Sequence, residues 1–161
     1  MKQNNFNLKE VKVYRNTEAT VFEIAFAVEA IIVWGLIIWM IYQAPDVVPT
    51  HFDASGKPNS YGSPSSIIIP CIILTAGAIM CMAIAYFPHR INMPVKITNI
   101  RQVALAIRST RVMGCTLLLV PLAVVYMMLG MASPSPAPVL PIIGLLILEV
   151  IVFTILINKA K

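Results

Sequence analysis

The 161-residue sequence is 58% hydrophobic and 12% charged, with a formal net charge of +5 and a mean hydropathy of +0.82. Soluble domains carry about 25% charged residues, so this composition excludes an ordinary soluble domain and describes an integral membrane protein. The positive excess flanks apolar runs and forms no single basic patch, which excludes nucleic-acid binding.

Residues 1–19 mix Lys2, Lys9, Lys12, Arg15, Glu10 and Glu18 with Phe6, Leu8, Val11, Val13 and Tyr14. They read as a frayed cytoplasmic tail, with a short interfacial helix as the alternative. The first apolar run, 22–43, exceeds the apolar core of a cleavable signal peptide and is read as a retained first span. Trp39 and Tyr42 near its end mark an aromatic belt at the outer interface. A second span, 67–87, carries Ala76, Gly77, Ala78, Ala83 and Ala85, small residues that permit close helix packing.

Residues 88–111 hold Arg90, Lys96, Arg101, Arg108 and Arg111 with no acidic residue. Within them Ile100, Val103, Ala104 and Ile107 recur at i, i+3, i+4, i+7, and Asn99 is placed as an N-cap with Gln102 three residues on. Two outcomes stay open: an amphipathic helix on the inner leaflet, or one helix continuing into the third span. That span covers 112–131 and contains Pro121, which predicts a kink; the fourth covers 139–157. Cys71, Cys81 and Cys115 all fall in apolar runs and read as packing residues.

The fold expected is an all-α membrane protein: one integral membrane domain of four transmembrane helices. A short ordered extracytoplasmic loop, 44–66, joins the first two. The basic residues of 1–19, of 88–111 and of Asn158–Lys161 alternate with the nearly uncharged connections 44–66 and 132–138. By the positive-inside rule both termini face the cytoplasm and the protein resides in a bacterial cytoplasmic (inner) membrane.

The loop 44–66 is where specific recognition is expected, because the apolar runs are committed to lipid. Pro45 and Pro49 stiffen its start, and turns are expected at 54–58 and 59–62. This predicts a small β-hairpin or a compact Ω-loop. His51, Asp53, Gly56, Asn59, Tyr61 and Gly62 then either present a ligand-binding surface or hydrogen-bond one another to hold the cap. His51 and Asp53 are too few ligands for a metal site, and neither a cofactor nor a catalytic constellation is expected. Glu29 and Glu149 lie well inside apolar spans, where an ionised carboxylate costs a few kcal/mol and a functional role is the default. They are expected to meet across spans one and four and share a proton or bind a cation, or else to be held neutral by a neighbouring helix.

The run Pro45-x-x-Val48-Pro49-x-His51-Phe52-Asp53-x-x-Gly56-x-Pro58-Asn59-x-Tyr61-Gly62-Ser63 resembles the signature of the domain of unknown function 1648 family. This membrane module also occurs at the N-terminus of SdpI-type immunity proteins. Asn92-Met93-Pro94-Val95-Lys96-Ile97-Thr98 resembles a second motif that follows the second span in many members. Asn59 and Pro64 stand where members commonly have Asp and Lys, so the loop here carries less charge.

The resemblance and the loop together imply a non-enzymatic immunity or sensor-type protein. The loop would bind an extracytoplasmic peptide or lipid-like ligand, and the basic segment would report to a cytoplasmic protein partner. The alternative is a small transporter or accessory membrane subunit that uses Glu29 and Glu149 for proton or ion coupling. The lipid bilayer is the partner common to both, and four spans make a bundle thin enough for a homo-oligomer.

Overall fold

A computed structural model describes residues 6–53, 55, 57–129 and 139–161. Four helices dominate it: α1 (Thr17–Gln43), α2 (Ile68–Ile84), α3 (Ile100–Leu129) and α4 (Leu140–Lys159). Each lies in a segment long and apolar enough to cross a membrane. Between α1 and α2 stand two short strands, β1 (Val48–Phe52) and β2 (Pro58–Gly62). Gly56, one of the predicted loop residues, and the connection 130–138 lie outside the described residues.

α3 is the helix on which the others assemble. Along its most apolar stretch 39% of residues are buried, against 17% for α1 and 11% for α4. It packs against α1, α2 and α4, and no other pair of helices makes comparable contact among the described residues. The seam with α2 follows a seven-residue repeat, Cys71, Ala78 and Ala85, all fully buried. Opposite them is Gly114, where an added Cβ would lie 3.3 Å from the Ala78 carbonyl oxygen and 3.3 Å from Met82 Cγ. The missing side chain is what lets the two backbones approach. Of the small residues predicted to pack, Ala78 and Ala85 do so, whereas Ala76 and Ala83 are exposed and Gly77 faces open space.

At one end of the molecule the chain between α1 and α2 forms a β-hairpin. Val48 pairs with Gly62, Pro49 with Tyr61, His51 with Ser60 and Phe52 with Pro58, with register shifts flanking His51. Val48 is buried and Phe52 half-buried, both within an apolar cluster with Ile37, Met40, Ile67, Cys71 and Met128. The hairpin is therefore seated on the helix ends and does not hang from them.

At the opposite end the N-terminal tail corrects the expectation of fraying. Phe6, Leu8, Val11 and Val13 pack with Ile91, Met93 and Val95 around Ala85, Ile97, Val103 and Ile157. The reason is local: Val11 and Val13 alternate with exposed Lys12 and Tyr14, so an extended strip buries one side. A single 3-10 turn, Leu8–Glu10, is capped by Asn7, whose Oδ1 accepts from Lys9 N at 3.1 Å.

α3 resolves the open question at 88–111: the basic segment's second half is the first part of one continuous helix that runs through Pro121. Asn99 caps it, with Oδ1 accepting from Gln102 N at 3.0 Å. Fully buried Gln102 reaches back, and its Oε1 accepts from Thr98 N at 2.7 Å. The same two side chains also bind α4. Gln102 Nε2 donates to Ile157 O at 2.9 Å, and Asn99 Nδ2 donates to Ala160 O at 2.9 Å. The cap of one helix thus satisfies orphan carbonyls at the end of the next, where the two helix dipoles also oppose favourably. Gln102→Ala strands the Thr98 N–H and leaves the Ile157 carbonyl only its 3.3 Å bond from Ala160 N, a cost of about 1–3 kcal/mol. Thermal unfolding of the purified protein in detergent should show a clearly lower Tm; an unchanged Tm would count against the clasp.

Candidate functional site

Three polar constellations interrupt the apolar structure. The first is the hairpin. Asp53 follows β1, and its Oδ1 accepts from Ser55 N at 2.8 Å, Ser55 Oγ at 2.7 Å and Lys57 N at 3.0 Å. Its own N–H donates to Lys57 O at 2.9 Å. An aspartate that collects backbone donors ahead of it is building a turn. Asp53 therefore shapes the tip of the hairpin. His51 Nδ1 lies 2.6 Å from Asn59 Oδ1, and both residues are exposed. An amide oxygen only accepts, so Nδ1 carries the proton in this contact. Tyr61 is 61% exposed on β2. Gly62 packs inward, since a Cβ there would come within 3.2 Å of Thr50 Cγ2.

The second constellation, at the tail end, was not legible as a unit. Arg108 Nε donates to Glu18 Oε1 at 2.8 Å and its Nη2 to Glu18 Oε2 at 3.0 Å, a bidentate pair between α3 and α1. Arg15 Nη2 lies 2.7 Å from Glu23 Oε2, and the Tyr86 hydroxyl donates to Glu23 Oε1. Arg111, read from sequence as a surface cation, is only 3% exposed, with its guanidinium 5.6 Å from the Tyr86 ring centroid. The helix continues through residue 111, which carries that side chain between α1 and α2. Arg108 is exposed but engaged by Glu18, leaving Arg90, Lys96 and Arg101 as exposed cations of the segment with no ion pair among the described residues. Arg90 lies over Phe87, 5.5 Å from the ring centroid. The three-residue spacing of Arg108 and Arg111 on one helix face was the available signal, but its acidic partners sit some ninety residues earlier.

The third constellation lies at mid-helix. Glu29 of α1 faces the Cys115 thiol of α3. Glu149 of α4 accepts through Oε1 from Thr116 Oγ1 at 2.5 Å. Its Oε2 is buried and has no hydrogen-bond partner among the described residues. The two acids therefore do not bond each other; they flank successive residues of α3, and Cys115 lies within electrostatic reach of both.

Residues 30–75 match the family model described as Domain of unknown function (DUF1648). The DUF1648 match spans the second part of α1, the whole hairpin and the first turns of α2. An uncharacterized protein of Archaeoglobus fulgidus is 35% identical over 69 residues, which cover 38% of this chain and 38% of that protein. The matched stretch thus spans well under half of the relative's length. No solved structure matches the chain.

The hydrogen bonds separate residues that build the hairpin from residues that it displays. Asp53→Ala should disorder the tip, because three donors lose one acceptor, whereas Tyr61→Ala should leave the hairpin intact. Amide hydrogen exchange over 48–62 checks this: faster exchange is expected in the first variant and wild-type protection in the second.

Proposed function

We propose that this is a non-enzymatic, multi-pass membrane protein of the sensor or immunity type, in which the hairpin binds an extracytoplasmic ligand. The observation that carries the reading is the outward group made by His51, Asn59 and Tyr61 on a hairpin anchored through Val48 and Phe52. An imidazole, an amide and an exposed phenol suit a ligand with both polar groups and apolar surface, such as a peptide. The position of the DUF1648 match, which encloses the hairpin, supports the same choice.

Charge supports the orientation. Among the described residues Lys57 is the only lysine or arginine at the hairpin end, while Lys9, Lys12, Arg15, Arg90, Lys96, Arg101, Lys159 and Lys161 gather at the other. The positive-inside rule then puts the tail end in the cytoplasm, where Arg90, Lys96 and Arg101 are free to meet a protein partner or anionic lipid. The test is complementation of a deletion strain challenged with membrane-active peptides. Wild type should restore tolerance, and Tyr61→Ala should fail to do so while accumulating normally in the membrane. Full protection by Tyr61→Ala together with His51→Ala would remove the hairpin from the mechanism.

A second reading rests on the unpartnered Glu149 Oε2. A transporter or accessory subunit would use Glu29 and Glu149 for proton or ion coupling. In that case Glu149→Gln abolishes pH-gradient-dependent growth or uptake in cells without loss of the protein from the membrane. A fully active Glu149→Gln variant rules that reading out.

A further inference from the structure

The mid-helix acids and an apolar groove belong to one crevice. Leu36 and Met40 of α1, Leu119, Leu122 and Ala123 of α3 and Ile142 of α4 line an open groove of about 450 Å³. Its position relative to the acids follows from helix geometry. Leu36 lies seven residues from Glu29, Ala123 seven from Thr116, and Ile142 seven from Glu149. Seven residues are about two turns, so on each helix the groove residue shares a face with the polar one and lies roughly 10 Å away along the axis. In all three helices the displacement is toward the hairpin end, because α4 runs opposite to α1 and α3. A groove of aliphatic side chains, with Tyr126 the one polar-tipped residue of its lining, therefore ends on a polar floor made by Glu29, Cys115, Thr116 and Glu149.

The floor lacks a counter-charge. No lysine, arginine or histidine occurs in 22–43, 67–87, 112–131 or 139–157. Thr116 and Cys115 supply two neutral donors for four carboxylate oxygens, and Glu149 Oε2 receives none. A cation supplied from outside would balance that charge, and an ammonium would also supply three N–H donors. An inorganic ion would leave the adjoining groove unexplained, whereas an alkyl chain fits its lining.

We infer that the crevice between α1, α3 and α4 binds a protonated long-chain amine, with its ammonium between Glu29 and Glu149 and its chain in the groove. This site is separate from the hairpin. It shares its carboxylates with the ion-coupling reading, which it deepens by naming an organic cation.

The experiment is a binding titration of full-length protein in phosphatidylcholine nanodiscs with dodecylamine, and with dodecanol as the uncharged probe of equal chain length. Saturable binding of the amine is expected, with the alcohol about tenfold weaker or more. Glu29→Gln together with Glu149→Gln should erase the preference for amine over alcohol; the side-chain amide that Glu149→Gln introduces still accepts from Thr116, which keeps the fold. Ala123→Trp fills the groove and should abolish amine binding, while Tyr61→Ala should bind as wild type does. Equal binding of amine and alcohol by the native protein would show a groove that takes lipid chains only and would overturn the inference. So would a persistent amine preference in the double glutamine variant. Loss of coupled uptake in Glu149→Gln, with no amine binding by wild type, would retain the ion-coupling reading and reject the organic cation.

Discussion

The bundle depends on the contact between α3 and its three neighbours. In lipid there is little hydrophobic gain from bringing apolar helices together, since hydrocarbon chains cover them equally well. Close approach and polar bonds must do it instead. α3 supplies both: Gly114 against the Ala78 backbone on one side, and Gln102, Arg108, Arg111, Cys115 and Thr116 directed at α4, α1 and α2. The helices around it remain apolar on their outer surfaces, as Ile24, Ile31 and Ile38 of α1 and Ile147 and Ile151 of α4 show.

The polar groups also fix depth and register. The tail end is tied by charge-assisted and amide bonds, Glu18 to Arg108, Arg15 to Glu23, and Gln102 and Asn99 to the last carbonyls of α4. Glu18 and Arg108 are substantially exposed, so their pair is worth at most about 1 kcal/mol and serves mainly to orient the helices. Gln102 is different, since it is fully buried and its loss leaves the Thr98 N–H without its acceptor. The hairpin end is seated by Val48 and Phe52, which pack on the helix ends.

The sequence was most readable where periodicity or backbone chemistry acts locally. Four apolar runs, the turn residues around Lys57-Pro58, and the Asn99–Gln102 cap all declare themselves within a few positions. What stayed hidden depended on partners far along the chain. That Gln102 also bonds Ile157, or that Arg111 is buried over Tyr86, follows from helix packing, which the heavily apolar faces of these helices barely specify. The tail was misjudged because its apolar residues alternate as in a strand, and a helical template misses them. Glu29 and Glu149 were visible as anomalies, but only the structure shows that Cys115 and Thr116 stand between them.

α1 connects the two candidate sites directly. Glu29 faces the mid-helix floor, Leu36 and Met40 line the groove above it, and Met40 also belongs to the buried cluster that seats Val48 of the hairpin. One flexible side chain thus touches the crevice on one side and the support of the hairpin on the other. A ligand in the groove acts on the hairpin only if it favours one Met40 packing over another, since equal affinity for both shifts nothing. Because Met40 and Val48 share an apolar cluster, such repacking would meet little polar resistance there. At the tail end the same displacement would have to break Gln102 and Asn99 bonds, so any structural response to the crevice should run outward to the hairpin.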